Sequence, residues 1–171
     1  MELWDIYDIN RIKTGRIIDR HSDEQLNNGE YHLVVEAIII NSKREILLSK
    51  RSETKNKYPL FWECAGGSVI SGETSLEAIL RELKEELGLE FKIDEAKFYK
   101  TIRDDNAKDF KDIWLFIKDI EQTNLRYNDG EVIDAKWVTI EELEEMKIKK
   151  EIVPTLDFTK NDYYKLVDTL A

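Results

Sequence analysis

A chain of 171 residues is long enough for one domain with a real core, and an apolar fraction of 42% excludes a disordered polymer. The 36 acidic and 26 basic residues give a net charge of −10, which argues against general nucleic-acid or membrane-surface binding. An anionic ligand must therefore be held by local cations.

In chain order, residues 3–8 and 15–19 are predicted to pair as an N-terminal hairpin within positions 1–20, ahead of one domain that continues to 171. Residues 32–41, rich in Val and Ile, read as a buried strand that Asn41-Ser42-Lys43-Arg44 turns into a second strand at 45–49. Residues 61–64 are short and extended and lead into a glycine-rich loop. A helix follows at 75–87, then strands at 97–103 and 112–117 joined by a polar segment. Residues 121–130 form a polar loop without regular period, expected to be flexible, and 132–138 is the next strand. Thr139 followed by Glu142 is a capping box for a helix through Met146. Pro154 opens a C-terminal region with a last helix at 161–170. The longest apolar run, 33–40, is interrupted by Glu36 and is far too short to span a bilayer. The single Cys64 cannot form an internal disulfide, and no charged-then-apolar leader opens the sequence, so a reducing cytoplasm is the expected location.

The chemistry concentrates in residues 67–89. Leu76, Ile79, Leu80, Leu83 and Leu87 recur at three- and four-residue intervals, one buried stripe of a helix. Glu82, Glu85 and Glu86 then share another face at i, i+3 and i+4. Like charges at those spacings weaken a helix, unless a hard divalent cation such as Mg²⁺ or Mn²⁺ sits among them. Arg81 is placed to brace one of these carboxylates, and Gly88 is a helix stop. Gly66, Gly67 and Gly72 permit a loop whose backbone approaches a ligand or metal closely.

The same residues match the Nudix box, G-x5-E-x7-R-E-U-x-E-E-x-G-U with U aliphatic, at every specified position from Gly67 to Leu89. The chain therefore resembles Nudix hydrolases. The likeness extends to Leu47-Leu48-Ser49-Lys50-Arg51 before the box, and to residues 131–138 followed by Glu141-Glu142-Leu143 after it. The opening Leu3-Trp4-Asp5-Ile6-Tyr7-Asp8, then Thr14-Gly15-Arg16, is similar to the N-terminal hairpin of the isopentenyl-diphosphate-isomerase-like branch.

The resemblance implies an α/β/α sandwich with a mixed β-sheet, and Mg²⁺-dependent hydrolysis of a diphosphate linkage in a nucleoside diphosphate joined to another moiety, with Mn²⁺ a substitute. It also implies Glu82, Glu85, Glu86 and the Gly66 carbonyl as metal ligands, with Glu73 and Arg81 supporting them. Glu131 is the candidate general base outside the box, and it reads equally as a solvated loop acid. Lys50, Arg51 and Arg103 are candidates for substrate phosphates, or are ordinary strand-end cations. Trp62, Phe61 and Tyr31 suit either base stacking or core packing. Two other readings are weighed, an isomerase and a nucleotide-sensing domain without catalysis. The isomerase pattern wants a cysteine where this chain has Gly66, and Cys64 lies two residues early. Sensing domains often lose box glutamates that are all present here. The expected partner is a small diphosphate compound, and Trp4, Ile6 and Ile9 on the hairpin are candidates to cover a second copy of the chain.

Overall fold

The computed structural model describes residues 1–170, which form a mixed α/β fold. Its strands are β1 (Leu3–Tyr7), β2 (Lys13–Asp19), β3 (His32–Ile40), β4 (Ile46–Arg51), β5 (Trp62–Glu63), β6 (Gly66–Ser68), β7 (Lys97–Asp104), β8 (Asp109–Ile117) and β9 (Val132–Val138). Its helices are α1 (Ser75–Leu87), α2 (Ile140–Ile148) and α3 (Lys160–Asp168). Strands β1 and β2 pair by themselves, and the main sheet runs β5-β4-β3-β8-β7, with β6 on β3 and β9 on β4. The His32 amide donates to the Lys108 carbonyl at one end of β3 and β8, and the Lys118 amide to the Ile40 carbonyl at the other. These two strands therefore run the same way, while β4 pairs antiparallel with β5 and β9, so the sheet is mixed.

The chain divides into two compact units, and β3, β8 and α1 contribute residues to both. The first comprises Met1–Ala37, Gly66–Lys84 and Glu90–Leu115. Here the hairpin is tied to the start of β3 by reciprocal amide bonds between Tyr7 and Tyr31 of 2.8 and 2.9 Å. The Trp4 and His32 rings stack at 4.0 Å, nearly parallel. The hairpin turn sends Arg11 onto the buried Asp112, its two Nη atoms at 2.6 and 2.5 Å from the two carboxylate oxygens. Burial alone would raise the Asp112 pKa, but bonds from Arg11, Ser75 and Thr101 outweigh it and hold the carboxyl below its ordinary range. Of the hairpin residues expected to cover another copy, Ile6 is fully buried and Trp4 is taken up by His32, which leaves Ile9 exposed.

The second unit comprises Ile38–Ala65, Glu85–Leu89 and Phe116 onward. Its centre is β4, whose Ile46, Leu47, Leu48 and Ser49 are all buried, an apolar run suited to a strand covered on both faces. Strand β9 follows β4 in register from Ile46↔Val138 to Lys50↔Asp134, then slips by an irregularity before Arg51↔Val132. That slip redirects the chain at the place where β9 emerges from the 121–131 loop. Helix α2 has the anticipated capping box, with Thr139 Oγ1 accepting from the Glu142 amide and the Glu142 carboxylate accepting from the Thr139 amide. A second such box, Thr159 with Asp162, starts α3, whose Tyr163 hydroxyl donates to the Arg44 carbonyl. The polar 121–130 loop contains a 3₁₀ turn at Gln122–Asn124, followed by the buried Leu125.

Candidate active site

The box helix begins at its own capping box, which the sequence reading passed over. Thr74 Oγ1 accepts from the Glu77 amide, and the Glu77 carboxylate accepts from the Thr74 amide at 2.8 Å. Helix α1 stops at Gly88, whose φ of 67° belongs to the left-handed region. Along the helix Leu83 and Leu87 are buried as the periodicity requires, Glu85 is exposed, and Glu86 is 4% exposed. The expectation that Glu86 lies off the packed face is thus corrected: its carboxylate is an enclosed group, unlike one on a solvated acidic face.

In the first unit, β6 follows β3 with Val35↔Gly67 and Glu36↔Gly66 in register. A side chain at Gly66 would meet backbone, and one at Gly67 would displace the Glu82 carboxylate. A Cβ on Gly66 would stand 2.1 Å from the Val35 carbonyl oxygen, and one on Gly67 would stand 2.4 Å from Glu82 Oε1. The Glu82 carboxylate therefore rests against bare backbone. Arg81 fixes it there: Nη1 donates to Glu82 at 2.8 Å, Nε and Nη2 donate to the two oxygens of Glu73 at 2.8 and 2.9 Å, and Nη2 also reaches the Ser68 carbonyl. The bond to Glu73 holds the guanidinium firmly protonated, with Glu82 adding to the effect against the cost of burial. Glu73 also accepts from the Ile70 amide, so it clamps loop and helix together. The structure thus brings Glu73, Arg81 and Glu82, three of the residues singled out in the sequence, into one bonded group.

In the second unit, Glu86, Asp129 and Glu131 each place a carboxylate oxygen within 4.8 Å of the other two. The Glu131 amide donates to Asp129 Oδ1 at 2.9 Å across Gly130, whose φ is 76°. The two acids are folded onto one another by that glycine turn. Lys55 pairs its ammonium with Glu131, and the Ser52 amide donates to the Glu131 carbonyl at 2.8 Å. The pattern Asp129-Gly130-Glu131, two acids about a turn glycine, was the available signal for Asp129. For Lys55, on a polar loop with no period, there was none.

The substrate-side candidates are dispersed. Arg51 binds both Glu63 oxygens at 2.8 and 2.9 Å and the carbonyls of Lys57 and Tyr58, so its guanidinium folds the 52–60 loop back onto β4. Burial pushes the Glu63 carboxyl up, against the lowering pull of Arg51 and Lys55. Lys50 and Lys136 both place an ammonium over the Trp62 ring, at 5.6 and 4.5 Å from its centre. Arg103 pairs with Asp105 at the β7–β8 turn and lies 5.8 Å from the centre of the Tyr31 ring. Tyr31 itself is buried, packed on Phe110 and bonded to Asp105. Cys64 is a buried free thiol.

Glu86 is a buried acid beside two further acids, and the Glu82 carboxylate is pressed onto glycine backbone. Three carboxylates whose oxygens lie within 4.8 Å of one another are the hard donors that suit Mg²⁺ or Mn²⁺, so Glu86, Asp129 and Glu131 fit a divalent ion.

Residues 30–156 match the family model described as the NUDIX domain. An uncharacterised Nudix hydrolase of Listeria monocytogenes is 38% identical over 157 residues, covering 90% of this chain and 89% of that protein. An RNA pyrophosphohydrolase of Orientia tsutsugamushi is 30% identical over 68% of this chain and 80% of its own length. Among solved structures, DR0079 of Deinococcus radiodurans superposes with a TM-score of 0.74 at 24% identity, over 98% of both chains. With a complete box, a Nudix fold and relatives of this identity, the chain belongs to the Nudix hydrolase family.

Proposed function

We propose that this protein is a Mg²⁺-dependent hydrolase that cleaves the diphosphate linkage of a nucleoside diphosphate joined to another moiety, or of a related organic pyrophosphate. The observation that carries the reading is the approach of Glu131 to Glu86 and Asp129, which adds acids from a distant loop to the acids of the box helix. Glu82, Glu85 and Glu86, with the Gly66 carbonyl, would hold the divalent ion, and Mn²⁺ suits the same hard ligands. When bound, such an ion supplies Lewis acidity toward a phosphoryl oxygen and lowers the pKa of a coordinated water.

The chain's own residues do the positioning. Arg81, itself held by Glu73, orients Glu82 against Gly67, so the carboxylate is positioned before a ligand arrives. Glu131 is half exposed in its side chain and sits on a turn, suited to taking a proton from an attacking water. Lys50 and Arg103 are the candidates to meet substrate phosphates. Arg51, committed to Glu63 and two carbonyls, would act by shaping the loop. The buried Cys64 offers no exposed thiol for an isomerase.

The test is a panel of diphosphate compounds with Mg²⁺ or Mn²⁺, reading phosphate released after phosphatase coupling, with the Glu85→Gln, Glu86→Gln double variant as control. Metal-dependent release by the wild type but not the control is expected. Equal release by both overturns the assignment of the ligands.

A further inference from the structure

The group formed by Glu86, Asp129 and Glu131 already has a cation beside it. Lys55 stands on the 52–60 loop, and its side chain is only 19% exposed because it turns inward onto Glu131. Loop geometry commits it there. The Lys55 amide donates to the Ser52 carbonyl, and the Ser52 amide donates to the Glu131 carbonyl, so backbone as well as charge joins the two loops. Three carboxylates with oxygens mutually within 4.8 Å repel one another, and the Lys55 ammonium offsets part of that charge. A divalent ion entering the group meets this ammonium at the Glu131 oxygen, where both cannot keep their full set of contacts.

We propose that Lys55 is an internal counter-ion of the Glu86–Asp129–Glu131 group, exchanged for a divalent ion when the site loads, so that it lowers the protein's affinity for metal. The exchange frees the ammonium from Glu131 and releases the side-chain tie between the 52–60 loop and the β9 loop. Metal loading then changes the mobility of the 52–60 loop as well as the charge of the site. This rests on the reading above that a divalent ion is held in this site with Glu86 among its ligands, close enough to Glu131 to compete with its ammonium partner.

The experiment is a Mn²⁺ titration of the full chain followed by electron paramagnetic resonance, on wild type, Lys55→Gln, Lys55→Arg and Lys57→Gln. Lys57 is on the same loop and exposed, and it offers Arg51 only its carbonyl. Lys55→Gln is expected to bind Mn²⁺ more tightly, on the order of 10-fold, because a competing charge at contact distance is gone. Lys55→Arg is expected to stay near wild type, and Lys57→Gln to be unchanged. Amide hydrogen exchange of residues 52–60 should rise on Mn²⁺ binding in the wild type and already be raised in Lys55→Gln. Affinity that is unchanged or weaker in a folded Lys55→Gln overturns the proposal. A wild type that binds no Mn²⁺ overturns instead the metal reading on which it rests.

Discussion

The Glu82 carboxylate lies so close to Gly67 that a single added methyl would stand 2.4 Å from its Oε1. The neighbouring Gly66 is the less tolerant of the two, since there the obstacle is the Val35 carbonyl at 2.1 Å. The two glycines should therefore fail differently. In Gly67→Ala the far end of a side chain can swing away, so stability should drop by no more than about 1 kcal/mol while hydrolysis falls on the order of 10²-fold. In Gly66→Ala, backbone must move and the β6–β3 pairing is disturbed, with an expected loss of about 2–3 kcal/mol. Thermal melts beside turnover measurements separate them, and a Gly67→Ala enzyme of normal activity would show that Glu82 needs no such seat.

Much of this was legible in the sequence because the determining patterns are local. The leucine stripe, the capping box at Thr139, the alternation of strands and the stop at Gly88 each depend on residues within a few positions. What escaped depends on pairing across the chain. Strand β6 is three residues of Gly-Gly-Ser, with no strand propensity, and exists because β3 offers it a partner. Helical spacing puts Glu86 off the apolar stripe, as a metal ligand, but it cannot reveal that the residue is buried. Asp129 and Lys55, 43 and 31 positions from Glu86 along the sequence, join the group only through the fold of their loops.

Glu85→Gln and Glu86→Gln should each lower turnover by on the order of 10²-fold or more, several kcal/mol of transition-state stabilisation. Their stabilities should differ. Glu85 is exposed, so its change should leave the melting temperature within a degree or two, whereas Glu86 is buried and its neutral replacement should shift unfolding measurably. Near-normal turnover in the double variant would remove these residues from the site.

His32 sets an acid limit on stability. Burial, with the charge of Arg20 adding to it, pushes its pKa down to about 4. The unfolded chain takes up a proton on this histidine below about pH 6.5, while the folded chain does not until about 4. The stability contributed by keeping His32 neutral is therefore present above about pH 6.5 and declines as the pH falls toward 4, by about 3 kcal/mol at the low end. Phenylalanine at this position keeps a ring against Trp4 and removes the buried Nδ1, which has no hydrogen-bond partner. His32→Phe should match or exceed wild-type stability at pH 7 and lose less of it by pH 4. Urea unfolding at several pH values measures this, and parallel pH profiles for the two proteins would refute it.

Glu131 carries the last prediction. As the proton acceptor it should act on kcat, and Glu131→Gln is expected to lower kcat by roughly 10²- to 10⁴-fold. Its oxygen also lies within 4.8 Å of Glu86 and Asp129, so losing the charge should weaken metal binding, though only a few-fold while those acids remain. The two effects part at high metal. A defect in binding is repaired by raising Mg²⁺ to saturation, and a missing base is not. Turnover measured across a Mg²⁺ series should thus plateau far below wild type. The variant also leaves Lys55 without its carboxylate partner, so Glu131→Gln combined with Lys55→Gln separates the ammonium from the base. The double variant should recover metal affinity toward wild type without recovering kcat. Recovery of kcat at saturating Mg²⁺ in the single variant would instead make Glu131 a metal ligand, and return the proton-accepting role to the box glutamates, Glu82 first.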